Sequence, residues 1–156
     1  MSAFFKVTSV DSLLKWSRAK SLWYFSVGTG CCSDEVTNAF GCRYDLERFG
    51  SLPQVDPLQA DLLIVSGAIT YRLAPVLKEL YDRMPSPKYV LAVGGCACTG
   101  GAFSPGISYS VVPGVEKLIP VDVFVSGCPP RPEAVMNGLL TLQEKIIGSK
   151  KFKDVY

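Results

Sequence analysis

Two cysteines stand side by side at Cys31 and Cys32, in the stretch GTGCCSDE. A disulfide between neighbours is strained, because the required Cβ geometry is hard to reach across one peptide bond. Cys42, Cys96, Cys98 and Cys128 complete the set, and the chain contains no histidine. That excludes Ser-His-Asp triads, Cys-His pairs and histidine-ligated zinc. What remains is thiolate chemistry: zinc, an iron–sulfur cluster, a thiol redox site, or small buried hydrophobes. Zinc sites built from cysteine usually use CxxC knuckles, and the sequence has none. A cubane cluster offers separate iron corners, so ligands can arrive from separate segments. The spacing favours a [4Fe–4S] cluster over zinc and over a redox thiol.

The elements that must position these thiols follow from hydrophobic periodicity. SLWYFSVG reads as a first strand, and DLLIVSG (residues 61 to 67) and YVLAVGG (89 to 95) as strands buried on both faces. VDVFVSG (121 to 127) reads as a further strand. DSLLKWSRAK predicts a short amphipathic helix with Leu13, Leu14 and Ser17 on one face. YRLAPVLKELYDRM predicts a helix starting at Leu73 or Ala74, with Leu73, Val76, Leu77, Leu80 and Met84 on one stripe. A loop rich in Gly and Ser is expected from the end of the third strand to about residue 115. PPRPEAVMNGLLTLQEKIIG predicts a closing helix that buries Val135, Leu139, Leu142 and Ile146, with Gly148 at its C-cap.

Apolar strands alternating with amphipathic helices imply an α/β fold with a doubly wound, mainly parallel, flavodoxin-like sheet. Ligands in such folds sit outside the carboxyl ends of the strands. Cys31 and Cys32, Cys96, and Cys128 each follow a glycine-terminated strand. Three strand-end loops thus bring thiols to one crevice, and the glycines at 28, 30, 94, 95, 100, 101 and 127 let backbone approach a bulky group. Four corners leave two cysteines over. Cys42 is not at a strand end and is expected as a small buried hydrophobe. Cys96 directly follows a glycine pair and is favoured over Cys98.

The 156 residues suit a single domain, with residues 1–9 and 149–156 expected as extended or partner-bound tails. Only 19% of residues are charged, below the usual share of about a quarter. That fits a subunit covered by partners, and equally a domain with a large core. A net charge of +2 without a basic run disfavours nucleic-acid binding. No apolar run of about 18 residues and no secretory signal is expected in the chain, which points to a cytosolic setting for the thiols.

Longer segments carry a resemblance: CCSDE, RYDLERFG, PLQADLLIVSG, APVLKELYDRMPSPKYVLAVGGCACTGG and SYSVVPGVEKLIPVDVFVSGCPPRPEA. Over about residues 10 to 147 the chain resembles the small iron–sulfur subunit of respiratory complex I, the NADH:quinone oxidoreductase component called subunit K in the chloroplast enzyme. The resemblance implies that Cys31, Cys32, Cys96 and Cys128 hold one [4Fe–4S] cluster, the last before quinone. It implies electron transfer from NADH, singly to a quinone bound against a large hydrogenase-like subunit, coupled to proton translocation. A ferredoxin-like two-cluster subunit and membrane-arm subunits would be the other partners. The setting would be peripheral, on the cytoplasmic side of the cell membrane.

The same resemblance places Glu35, Asp45, Arg48, Arg72 and Leu73 near quinone or its protons. Read from sequence alone, Glu35 is equally a helix N-terminal acid, and Asp45 and Arg48 are an ordinary surface pair. Tyr109, Asp122 and Glu133 match the family too, and can equally shape loops and satisfy backbone donors. Asp34 stands where familiar members carry an apolar residue, and Arg72-Leu73 where many carry Lys-Met. Two other readings stay open. One is the small subunit of a membrane-bound [NiFe] hydrogenase, or of a complex I relative fed by ferredoxin or reduced F420; hydrogenases usually have CxxC where this chain has CC. The other is a zinc scaffold. An isolated chain this small is expected to be oxygen-labile, and Phe4, Phe5 and Trp16 to lie near the membrane arm or in a plain core helix.

Overall fold

The computed structural model describes residues 10–104 and 107–148. The tails at 1–9 and 149–156, with Phe4 and Phe5, lie outside the described residues. Helix α1 (Val10–Ala19) leads into strand β1 (Leu22–Gly28) and helix α2 (Cys31–Phe40). Strands β2 (Ser51–Pro53) and β3 (Leu62–Ser66), helix α3 (Ala74–Arg83) and strand β4 (Tyr89–Val93) follow. The short helix α4 (Gly95–Thr99), strand β5 (Val123–Val125) and helix α5 (Pro132–Gly148) close the order.

The strands pair in the order β2-β1-β3-β4-β5, every pair parallel. This is the flavodoxin-like doubly wound order, as the alternating pattern predicts. Side chains alternate across each strand, and the two faces build two cores. Leu62, Ile64, Leu91 and Val93 pack against Val36 and Ala39 of α2 and Val135 and Leu139 of α5. Leu63, Val65, Val90 and Ala92 face Leu77 of α3 and Ala97 of α4 on the other side. α5 lies tight against β5 because Gly138 has no side chain there. A Cβ at that position would stand 2.3 Å from a methyl of Val125.

The structure departs from the periodicity reading in four places. The loop expected before residue 115 opens with α4, followed by 3-10 turns at Gly101–Phe103 and Val115–Lys117. β2 carries no run that would announce it, being three residues ending in Pro53. On α3, Leu77 and Met84 are buried but Val76 is 47% exposed, because the 3.6-residue turn carries it off the core face. On α1 the expected apolar face points outward: Leu13 is 55% exposed and Leu14 41%, and Trp16, outside that face, is 57% exposed. Ala19, fully buried, sits where α1 packs on α5. Trp16 is therefore not a core residue among those described.

Candidate functional site

The last rung of the sheet runs Gly28, Ser66, Val93 and Val125 across β1, β3, β4 and β5. Gly28, Val93 and Val125 each stand three residues before a cysteine: Cys31, Cys96 and Cys128. The same geometric step past three parallel strands therefore delivers three thiol-bearing turns to one edge. Cys31 and Cys32 open α2, and Cys96 lies in the first turn of α4. Cys128 sits in the turn before α5, joined to Pro129 by a cis peptide bond.

Cys32 and Cys96 are buried, whereas Cys31 and Cys128 are exposed. The two buried thiols feel their neighbours. Burial pushes the Cys32 thiol up to about 12, and the neighbouring Cys31, then Cys96 and Cys128, push it the same way. The Cys96 thiol is raised by burial and then by Cys128 and Cys31, while an N–H of Ala102 donating to it acts in the opposite direction. Gly94 makes the approach possible, since with φ +94° a Cβ there would lie 2.4 Å from the Cys32 Sγ.

Cys98 points elsewhere. Its thiol faces the carbonyls of Ala92 and Val125, at 3.9 and 3.7 Å. Two residues along a helix are about 200° apart, so Cys96 and Cys98 cannot share a face. Cys42 corrects the sequence reading: it is exposed, not buried, because the chain turns at Gly41 just past α2 and carries it off the core.

These residues fit an iron–sulfur cluster. The donor set is all thiol, and thiolates crowded together need a cationic centre to relieve their repulsion. The N-cap of α2 is Gly30, which provides no side-chain hydrogen bond to the first turn. The positive end of the helix dipole suits a group bearing negative charge.

The other sequence candidates do not gather at one point. Glu35 is half-buried and lines a groove of about 380 Å³ with Asn38, Cys42, Arg43 and Tyr44. Asp45 and Arg48 are exposed around the 3-10 turn Leu46–Phe49, and Asp45 adopts a left-handed conformation with φ 48°. Arg72 is exposed and Leu73 half-buried ahead of α3. Asp34 is exposed. Asp122 accepts a hydrogen bond from the N–H of Val90 at 3.0 Å, the loop-shaping role open to it in sequence. Glu133 accepts one from the Tyr44 hydroxyl at 3.3 Å, and Tyr109 is exposed.

Two residues near the site escape the sequence reading. Thr29 ties the β1 turn to β3, its hydroxyl donating to the carbonyls of Ser66 and Ala68 at 3.1 and 2.8 Å. Ser66 is a fully buried hydroxyl at the last rung. A polar residue closing the apolar run DLLIVSG was the available signal.

A parallel sheet in flavodoxin-like order, with four cysteines at its carboxyl edge, defines a doubly wound α/β protein. The chain belongs to the family described as NADH ubiquinone oxidoreductase, 20 Kd subunit, which matches residues 30–142. It is 51% identical over 146 residues to the B subunit of an NADH-quinone oxidoreductase from Clostridium beijerinckii, covering 93% of this chain and 85% of that protein. It is 53% identical over 140 residues to an NAD(P)H-quinone oxidoreductase subunit K from Thermosynechococcus vestitus, covering 90% of this chain and 59% of that one. The chain thus spans less than two thirds of that longer relative. A chain of an archaeal respiratory membrane complex, the membrane-bound sulfane sulfur reductase, superposes with a TM-score of 0.81 at 41% identity. That match covers 89% of this chain and 77% of that one.

Proposed function

We propose that this chain is the electron-transfer subunit of a complex I-like NADH:quinone oxidoreductase, holding one [4Fe–4S] cluster through Cys31, Cys32, Cys96 and Cys128. The observation that carries the reading is geometric: Cys31, Cys96 and Cys128 each stand three residues past the last rung of a parallel strand, and the Cys32 Sγ packs against Gly94, two residues before Cys96. Bound there, the cluster supplies one-electron transfer to a quinone at the interface with a large hydrogenase-like subunit. The chain's own residues hold and shield it. Buried Cys32 and Cys96 anchor it inside the fold, and exposed Cys31 and Cys128 present it toward a partner. Half-buried Glu35 stands three residues beyond Cys32, where a carboxyl takes up a proton more readily as negative charge accumulates nearby. Asp45, Arg48, Arg72 and Leu73 lie on the surface that meets the quinone-bearing partner, and this coupling serves proton translocation.

A ferredoxin-like two-cluster subunit feeds the chain, and membrane-arm subunits seat it on the cytoplasmic side of the cell membrane. Among the described residues no helix is long and apolar enough to cross a membrane, so attachment runs through those partners. Residues 1–156 act as one electron-transfer domain whose tails engage neighbours. The likeness to a sulfane sulfur reductase chain supports a second reading, the same subunit serving another terminal acceptor. Its lower identity, 41% against 51% for the quinone relative, ranks it second.

The test is iron, acid-labile sulfide and low-temperature EPR on the anaerobically purified complex. One cluster signal is expected beyond those of the two-cluster partner subunit. Cys32→Ser and Cys96→Ser should lose that signal, and Cys98→Ser should keep it. A wild type whose signals all survive in Cys32→Ser and Cys96→Ser, or loss of a signal in Cys98→Ser alone, contradicts the assignment. Reduction of quinone but not polysulfide by the same preparation separates the two acceptors.

A further inference from the structure

Of the four strands that reach the last rung, β3 alone brings no thiol: Ile69 stands where the others have cysteine. β3 brings Ser66 instead. Strand alternation points Ser66 the same way as Leu62 and Ile64, toward the layer of α2 and α5. Its register neighbours are Gly28 and Val93, the residues that lead to Cys31 and to Cys96. The Ser66 Oγ lies 3.2 Å from the place a Cβ on Gly28 would occupy, and the Ser33 Oγ lies 2.1 Å from that same place. The Ser66 hydroxyl is therefore tucked beneath the turn Cys31-Cys32-Ser33 that opens α2.

Ser66 is fully buried, and its Oγ has no hydrogen-bond partner among the described residues. A buried hydroxyl left unpaired is costly, and native structures seldom keep one without a use. Alanine would fill the position without that cost. The neighbouring strand ends supply sulfur, a weak acceptor as a thiol and a far better one as a thiolate or a cluster sulfide.

We propose that the Ser66 hydroxyl donates a hydrogen bond to a sulfur of the four-cysteine cage and thereby raises its reduction potential. This rests on the four-thiol reading. One-electron reduction adds one negative charge to the cage without making or breaking a bond to Ser66. A donor aimed at sulfur stabilises the more negative state, so removing it favours the oxidised one. Ser66 acts as a tuning group, not as a ligand.

The test is an EPR-monitored potentiometric titration of the whole complex, with dithionite as reductant, for wild type, Ser66→Ala and Ser66→Thr. At the wild-type midpoint, Ser66→Ala should hold roughly tenfold less reduced relative to oxidised cluster, a midpoint lower by about 59 mV for one electron. Ser66→Thr keeps the hydroxyl and should return the midpoint toward the wild-type value. Cluster content should stay the same in all three. A loaded Ser66→Ala complex that titrates like the wild type overturns the assignment of Ser66 and leaves the cage standing. A wild-type complex whose cluster signals all survive Cys32→Ser overturns the four-thiol reading itself.

Discussion

Cys32 and Cys42 are the same residue type ten positions apart in sequence, in opposite surroundings. Cys32 is buried among three other thiols, and Cys42 stands exposed in a turn. The pKa of Cys32 is pushed up to about 12, so the folded chain keeps a proton that the unfolded chain releases above the ordinary value of 9.0. That linkage favours folding below pH 9.0 and is lost as pH climbs toward about 12. On the proposed reading, cluster loading displaces this proton, so it releases acid and weakens as pH falls. In the metal-free chain at pH 8, alkylation read by mass spectrometry should label Cys42 readily. Cys32 should react on the order of a hundredfold more slowly, since the thiolate is the nucleophile. Equal labelling of the two would mean that the thiols do not gather as described. That Cys31, Cys32, Cys96 and Cys128 follow strand ends was legible from the glycines closing those strands. The fate of Cys42 was not legible, because it depends on the direction the chain takes past α2.

At the level of elements, β3 and β4 were readable because every residue in each is buried, leaving unbroken apolar runs. β2 and α4 were unreadable for physical reasons. Three residues ending in proline, or five rich in glycine and cysteine, carry too little periodicity to register. α1 shows a subtler limit. Its apolar stripe is real, but a stripe does not say whether it meets its own core or a neighbour, and Leu13, Leu14 and Trp16 face outward. Replacing Leu13 and Trp16 by Gln should therefore cost the isolated fold little, each within about 0.5 kcal/mol. Leu139→Ala, which opens a hole between α5 and the sheet, should cost about 2–5 kcal/mol. Urea unfolding midpoints separate the two classes. The α1 pair should instead lower recovery of the chain with its complex, and a large loss of stability from them would place the stripe in the chain's own core.

On the scale of the whole molecule, the two cores seal both faces of the sheet but leave its carboxyl edge partly open. Cys31 and Cys128 are exposed there while Cys32 and Cys96 are buried, so one side of the cage opens outward. Around that edge, Tyr71, Phe103, Ile107 and Tyr109 are exposed, from 45% at Phe103 to 97% at Tyr109. The backbone joins two of their loops, the Tyr71 N–H donating to the Ser110 carbonyl at 3.0 Å. Exposed apolar side chains gathered on loops in this way suit a covered interface. On the proposed reading, the fold supplies half an enclosure and the complex supplies the rest. Oxygen and water should reach the cluster in the isolated chain far more easily than in the assembly. A chain loaded anaerobically and then exposed to air should lose iron and acid-labile sulfide at least about tenfold faster than the complex, a difference of roughly 1.4 kcal/mol in barrier. Iron and sulfide measured against time of exposure give both rates. Equal rates would show that this chain encloses its cluster unaided.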